Sequence, residues 1–244
     1  MDKEFKQFLK SLKFPLLAVG LLWAVKIYEI ISGTSLTRLG IYPRERDGLV
    51  GILTSPFIHS GWEHLISNTF PILIMTTIMI HFFRKVAVYA YIFITLLTGL
   101  LVWLFGRESY HIGASGVIYG LITFVFFTGI LRKSVRSMAL AFIVFTLYSG
   151  YFEGFAPKAG VSWESHLLGA VAGAMFAFLV KNVKEDDDDE ELKPEIPQSR
   201  SYFLPRDIFD KTKHQRLLEE QYRQEQLRLE RERLEQEWRE RSRS

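Results

Sequence analysis

Ser115 stands in Gly113-Ala114-Ser115-Gly116, where small neighbours let other groups approach its hydroxyl closely. A serine hydroxyl is a weak nucleophile until a nearby base takes its proton. His166, within Ser165-His166-Leu167-Leu168-Gly169, is the natural base. Gly169 and Gly173 share its helix face and would let a neighbouring helix come close. Tyr119, four residues after Ser115, projects from the same face and could hold an imidazole ring in register. Taken singly, each pattern has a second reading: Gly-x-Ser-Gly also suits small-residue packing, and one histidine also suits a hydrogen-bonded helix interface.

A third cluster is His59, His64 and Asn68. Ser60-Gly61-Trp62-Glu63 reads as a capping box that starts a helix, which puts His64 and Asn68 on one face with His59 just above. Two donors on one face suit a developing oxyanion, as do the free N–H groups of a helix that begins at Ser115. Zinc is the rival reading. However, Glu63 precedes His64 with no second histidine three residues later, so the H-E-x-x-H spacing is missing. The absence of cysteine excludes thiol chemistry and thiolate-bound metal, and residues 48–184 contain no Asp for aspartyl chemistry. No metal or cofactor is expected. Glu29, Glu63, Glu153 and Glu164 lie near the ends of apolar segments. A two-residue dyad, with His166 packed on Tyr119, is therefore expected rather than a triad.

The elements that must position these groups are apolar. Six segments, about 14–31, 63–83, 86–105, 115–131, 138–152 and 163–180, approach the roughly 20 residues that cross a 30 Å hydrocarbon core. The expected fold is an all-α membrane bundle of six spans. No cleavable signal is expected, because the first run lacks a small-residue cleavage site. Lys3, Lys6, Lys10 and Lys13, then Arg84 and Lys85, then Arg132, Lys133 and Arg136, then Lys181 and Lys184 all fall on one side of six spans. That side should be cytosolic and hold both termini. The expected location is a bacterial inner (plasma) membrane. The first outer loop, about 32–59, mixes glycine and proline with apolar residues. Such a loop is either an ordinary extracellular fold or one resting in the membrane interface, and long structured loops are often functional.

Charge divides the chain in two. Residues 1–184 carry 17 Lys/Arg against 9 Asp/Glu, and residues 185–244 carry 13 against 18, for net charges of +8 and −5. The basic residues of the first part separate apolar runs and form no continuous phosphate-binding patch, so nucleic acid is not an expected partner. The second part, a cytosolic tail, opens with the acidic run 185–191 and continues from about 211 to 243 as a Glu/Arg-rich helix with i,i+4 ion pairs. Such a tail suits a tether or a docking helix for a cytosolic partner. Glu220 and Arg241 interrupt the heptad of Leu227 and Leu234, which argues against a stable coiled coil.

These motifs together resemble the rhomboid family of intramembrane serine proteases. The likeness is carried by His59-x4-His64-x3-Asn68, by Gly113-Ala114-Ser115-Gly116-Val117-Ile118-Tyr119, and by His166-x2-Gly169-x3-Gly173. They stand in order on the second, fourth and sixth segments, and the likeness spans about 14–182. The resemblance implies Ser115 as nucleophile, His166 as base, and Tyr119 as the ring beneath it. His64, Asn68 and the Ser115 N–H would hold the oxyanion, and His59 would stand at the mouth of a water-filled cavity. The fifth span would be a lateral gate, and the loop at 154–160 a cap. Implied partners are the lipid bilayer and transmembrane protein substrates, cut near the outer boundary. Many members carry Trp-Arg in the first outer loop, where this chain has Pro43-Arg44-Glu45-Arg46. Two other classes remain: a catalytically silent rhomboid-like protein that binds membrane clients, and a small transporter or channel. The latter would line a path to both sides, whereas the polar residues here cluster in the outer half.

Overall fold

The computed structural model describes residues 3–132, 134–158, 160–183, 185 and 211–241. They form two compact units, 1–193 and 194–244. The described part of the second is one exposed helix, Lys213–Arg241, in the stretch where charge pairing predicts one. Of the acidic run 185–191, all but Glu185 lies outside the described residues.

In the first unit the regular elements among the described residues are helical. They are α1 (Lys3–Ser11), α2 (Lys13–Ser32), α3 (Gly51–Thr54), α4 (Trp62–Phe82), α5 (Ala87–Phe105), α6 (Ser115–Arg132), α7 (Val135–Leu147) and α8 (Trp163–Leu179). α2 stops at Gly33, whose φ of 66° gives the left-handed turn that closes many helices. α4 starts from Gly61, and no side chain caps it. The expected capping box does not form, because the Ser60 hydroxyl is bonded to His64 Nδ1 instead, at 3.3 Å.

Four helices are long and apolar enough to cross a bilayer: Phe5–Ser32 taken through the α1–α2 break, α4, α5 and α6. The predicted fifth segment is not one straight span. α7 ends at Leu147, and a 3₁₀ stretch, Ser149–Phe155, follows at a bend of 62°. α8 is apolar and 17 residues long, at the short end of what crosses a bilayer.

α6 is the centre of the bundle. Val117, Ile118, Leu121, Phe124 and Val125 are all buried, against Leu65, Ile72, Met75 and Met79 of α4, Ile94 of α5, Val144 of α7 and Phe176 of α8. Large apolar residues of the outer helices, such as Leu17, Val88, Phe105 and Phe142, are instead exposed. Apolar exposure on this scale marks a lipid-facing surface.

α6 and α8 are held together by absent side chains. A Cβ on Gly169 would overlap the Gly116 carbonyl, and one on Gly173 the Gly120 carbonyl. The Gly169/Gly173 pair thus meets a second pair, Gly116 and Gly120. Thr123 Oγ1 adds a bond across the seam to Ala170 O, at 2.9 Å.

The first loop folds as short helical turns against α5, with Gly99 beneath Ile52. The Arg44 guanidinium donates to Gly106 O at 2.9 Å, just past the C-terminus of α5, and Trp103 Nε1 donates to Glu45 O at 2.9 Å. Ile41 forms an isolated antiparallel bridge with His111, which joins this loop to the one that leads into Ser115.

Candidate active site

Ser115 opens α6. The first N–H bonded into that helix is that of Ile118, to Ala114 O, so those of Ser115, Gly116 and Val117 precede it. His166 sits in the first turn of α8. The glycine seam brings the two together: Ser115 Oγ lies 2.9 Å from His166 Nε2.

The other ring nitrogen settles the proton inventory. His166 Nδ1 is 2.8 Å from Gly154 O, and a carbonyl can only accept. Nδ1 therefore carries the hydrogen, and Nε2 presents its lone pair to the serine hydroxyl. The orienting group is a backbone carbonyl, not a carboxylate. A Cβ on Gly154 would overlap Tyr119 Oη, so this close approach requires glycine.

Tyr119 stacks on His166, with centroids 4.3 Å apart and planes 11° from parallel. Its hydroxyl donates to Tyr151 O at 2.6 Å, and Phe155 packs against its ring at 5.1 Å. The 3₁₀ stretch after α7 thus fixes the Tyr119 ring in place.

Gly113 has φ of 107°, which disfavours any side chain, and a Cβ there would fall 2.7 Å from His64 Nε2. His64 thus stands over the turn two residues before Ser115. Asn68 is buried, and its amide spends one of its two N–H groups on His64 O at 2.7 Å.

His59 is only 2% exposed and lies edge-on to His64, at 4.9 Å between centroids. It backs His64 rather than standing at an open mouth. Burial, reinforced by the neighbouring His64 and Lys26, lowers its pKa to about 4. Lys26 Nζ holds the His59 carbonyl at 3.0 Å and Glu29 at 3.2 Å, and Glu29 accepts the Leu36 N–H at 2.8 Å. Among the described residues, no group of three or more His, Asp or Glu could hold a metal.

A second set went unread in the sequence. His111 is 1% exposed; its Nδ1 is bonded to the Ser162 hydroxyl, which lies 2.6 Å from Ser165 Oγ. Arg107 meets both oxygens of Glu164 at 3.1 Å and donates to Val161 O at 2.7 Å. These bonds tie the loop entering Ser115 to the first turn of α8, and so hold both segments that carry the Ser115–His166 pair. Opposite charges at the outer ends of two apolar segments were the available signal for Arg107 and Glu164. His111 gave none.

Fold and site together define a multi-pass membrane protein with a paired serine and histidine in its apolar body. The chain belongs to the rhomboid family: the model of the Rhomboid domain matches residues 46–183. An uncharacterized protein of Mycobacterium tuberculosis is 36% identical over 172 residues, covering 66% of this chain and 72% of that one. An uncharacterized protein of Mycobacterium leprae is 29% identical over 172 residues, covering 66% of this chain and 68% of that one. A putative rhomboid protein of Acanthamoeba polyphaga mimivirus is 26% identical over 147 residues, covering 58% and 81%.

Proposed function

We propose that this chain is an intramembrane serine endopeptidase that cuts transmembrane proteins near the outer membrane boundary. The observation that carries this reading is the 2.9 Å bond between Ser115 Oγ and His166 Nε2, with Nδ1 committed to Gly154. Family membership supports the same class.

Ser115 Oγ attacks the scissile carbonyl carbon while its proton passes to Nε2. The imidazolium, steadied by the Gly154 carbonyl and the Tyr119 face, returns that proton to the leaving amine, which breaks the C–N bond. A water then gives its proton to Nε2 and attacks the acyl ester; the ester C–O bond breaks, Nε2 returns the proton to Ser115 Oγ, and the acid product leaves. The Ser115 N–H, His64 and the remaining N–H of Asn68 receive the oxyanion. The substrate helix enters beside α7, whose bent continuation carries Gly154.

In this reading the body makes six spans, with α7 and α8 as the fifth and sixth, in a bacterial inner membrane with both termini cytosolic. Support comes from the loops on the far side of the bundle. Arg136 lies over Phe82 at 5.0 Å, Arg132 over Phe83 at 5.3 Å, and Glu185 accepts the Lys85 N–H at 3.3 Å. The cationic loops thus converge on one face, where positive charge marks the cytosol. The tail helix serves as a docking surface for a cytosolic partner. Truncation after Lys184 with unchanged activity, stability and complex composition would remove that role.

A serine-directed fluorophosphonate tests the enzyme reading. Labelling of the full chain in liposomes is expected on Ser115 and should vanish in His166→Ala. An unlabelled wild type would instead favour a silent, client-binding member.

A further inference from the structure

A second cavity lies far from the Ser115–His166 pair. About 490 Å³ in volume, it opens between α1, the end of α4 and the start of α5. That size falls within the roughly 300–1,000 Å³ of ordinary ligand sites. His64 and His81 sit near opposite ends of α4, and seventeen residues of helix put them about 25 Å apart. This site is therefore at the face where the cationic loops gather.

The walls divide by chemistry. One end carries Lys10 and Arg84 beside Gln7, Ser11 and His81; the rest of the slot is mostly apolar, with Phe14, Met79, Val88 and Ile92. Val88 and Ile92 lie one turn apart on α5 and continue the slot into the bilayer. Phe14 closes it edge-on against Tyr91, at 5.3 Å. Arg84 is held at the rim, its Nε donating to His81 O at 3.1 Å.

Depth in the membrane fits this division. The helix Phe5–Ser32 has 28 residues, or about 42 Å, against a hydrocarbon core of roughly 30 Å. Its first turns, Lys10 included, therefore reach headgroup level, while Val88 and Ile92 face acyl chains. A cationic rim above an apolar slot matches one kind of molecule: a phosphate ester carrying long alkyl chains.

We propose that this cavity binds one anionic phospholipid of the leaflet opposite the dyad, its phosphate on Lys10 and Arg84 and an acyl chain along Phe14, Met79, Val88 and Ile92. Basic pockets between membrane helices recognise anionic headgroups in this way. The inference does not depend on whether the chain cleaves anything.

The test reconstitutes the full chain in phosphatidylcholine vesicles containing phosphatidylglycerol with a diazirine on one acyl chain, and maps cross-links by mass spectrometry. Cross-links are expected to concentrate on residues 76–80 and 88–92, and to be competed by unlabelled phosphatidylglycerol but not by extra phosphatidylcholine. Lys10→Gln should reduce them about fivefold, the equivalent of roughly 1 kcal/mol per basic residue near an anionic surface. Ile92→Trp, which fills the slot from the apolar side, should reduce them without touching a charge. Labelling spread evenly over the lipid-facing helices, equal competition by phosphatidylcholine, or no change in either variant would overturn the proposal. Competition by inorganic phosphate alone would also overturn it, because the site would then read an anion and not a lipid.

Discussion

Gly169 of α8 lies so close to Gly116 of α6 that a Cβ on the former would overlap the carbonyl oxygen of the latter. The obstacle is backbone, so only separation of the two helices can relieve it. Overpacking of this kind typically costs about 1–3 kcal/mol. Here it would also part Ser115 from His166. Gly169→Ala is expected to lower the thermal midpoint and abolish cleavage together. Gly20→Ala is the control, since nothing lies within 4 Å of its Cβ position. Wild-type activity in Gly169→Ala would show that the seam does not set the dyad.

Tyr119 has two separable contributions, its stack on His166 and its hydroxyl bond to Tyr151 O. Tyr119→Phe keeps the ring, so kcat/KM should fall only a few-fold. Tyr119→Ala removes the surface under the imidazole, and misplacement of a catalytic group by about 1 Å can cost on the order of 10²-fold. Steady-state kinetics on one helical substrate in one detergent decides the matter. Equal losses in the two variants would assign the effect to the hydroxyl rather than to the stack.

His59 links stability to pH. Its pKa is about 6.5 in an unfolded chain and about 4 when buried here. Between these values the unfolded chain takes up a proton that the folded one refuses. Stability therefore falls as pH drops from about 6.5 to 4 and levels off below, with a slope of at most about 1.4 kcal/mol per pH unit. His111, whose pKa burial also lowers, adds to the same trend. Thermal midpoints measured from pH 7 to 4 should decline less steeply in His59→Phe than in wild type. Parallel curves would exclude His59 as a source.

The side chains proposed to carry the chemistry stand out in the sequence because polar groups in apolar helices are costly. Type and spacing single out Ser115, Tyr119 and His166 as candidates, and the structure brings the three together. What escaped were relationships rather than residues. The Gly154 carbonyl that orients His166 is backbone, and no side chain announces it. Gly169 and Gly173 declared a seam, but their partners Gly116 and Gly120 emerge only when α6 and α8 cross. Ser60 looked like a helix cap because local spacing cannot reveal that His64 competes for its hydroxyl. The bend after Leu147 was hidden because apolar character continues through Tyr151 and Phe152 while the backbone turns. His111 is buried by loops distant in sequence, and its surroundings had no local signature.

The central claim is that the oxygen of Ser115 performs the attack. Wild type and Ser115→Ala, each co-reconstituted in liposomes with a single-span helical substrate, should be compared by mass spectrometry of the newly formed termini. Wild type is expected to produce a defined cut near the outer end of the substrate helix, and Ser115→Ala to lower that rate by on the order of 10⁶ while keeping the wild-type thermal midpoint. The same cut at an undiminished rate in Ser115→Ala would contradict the account.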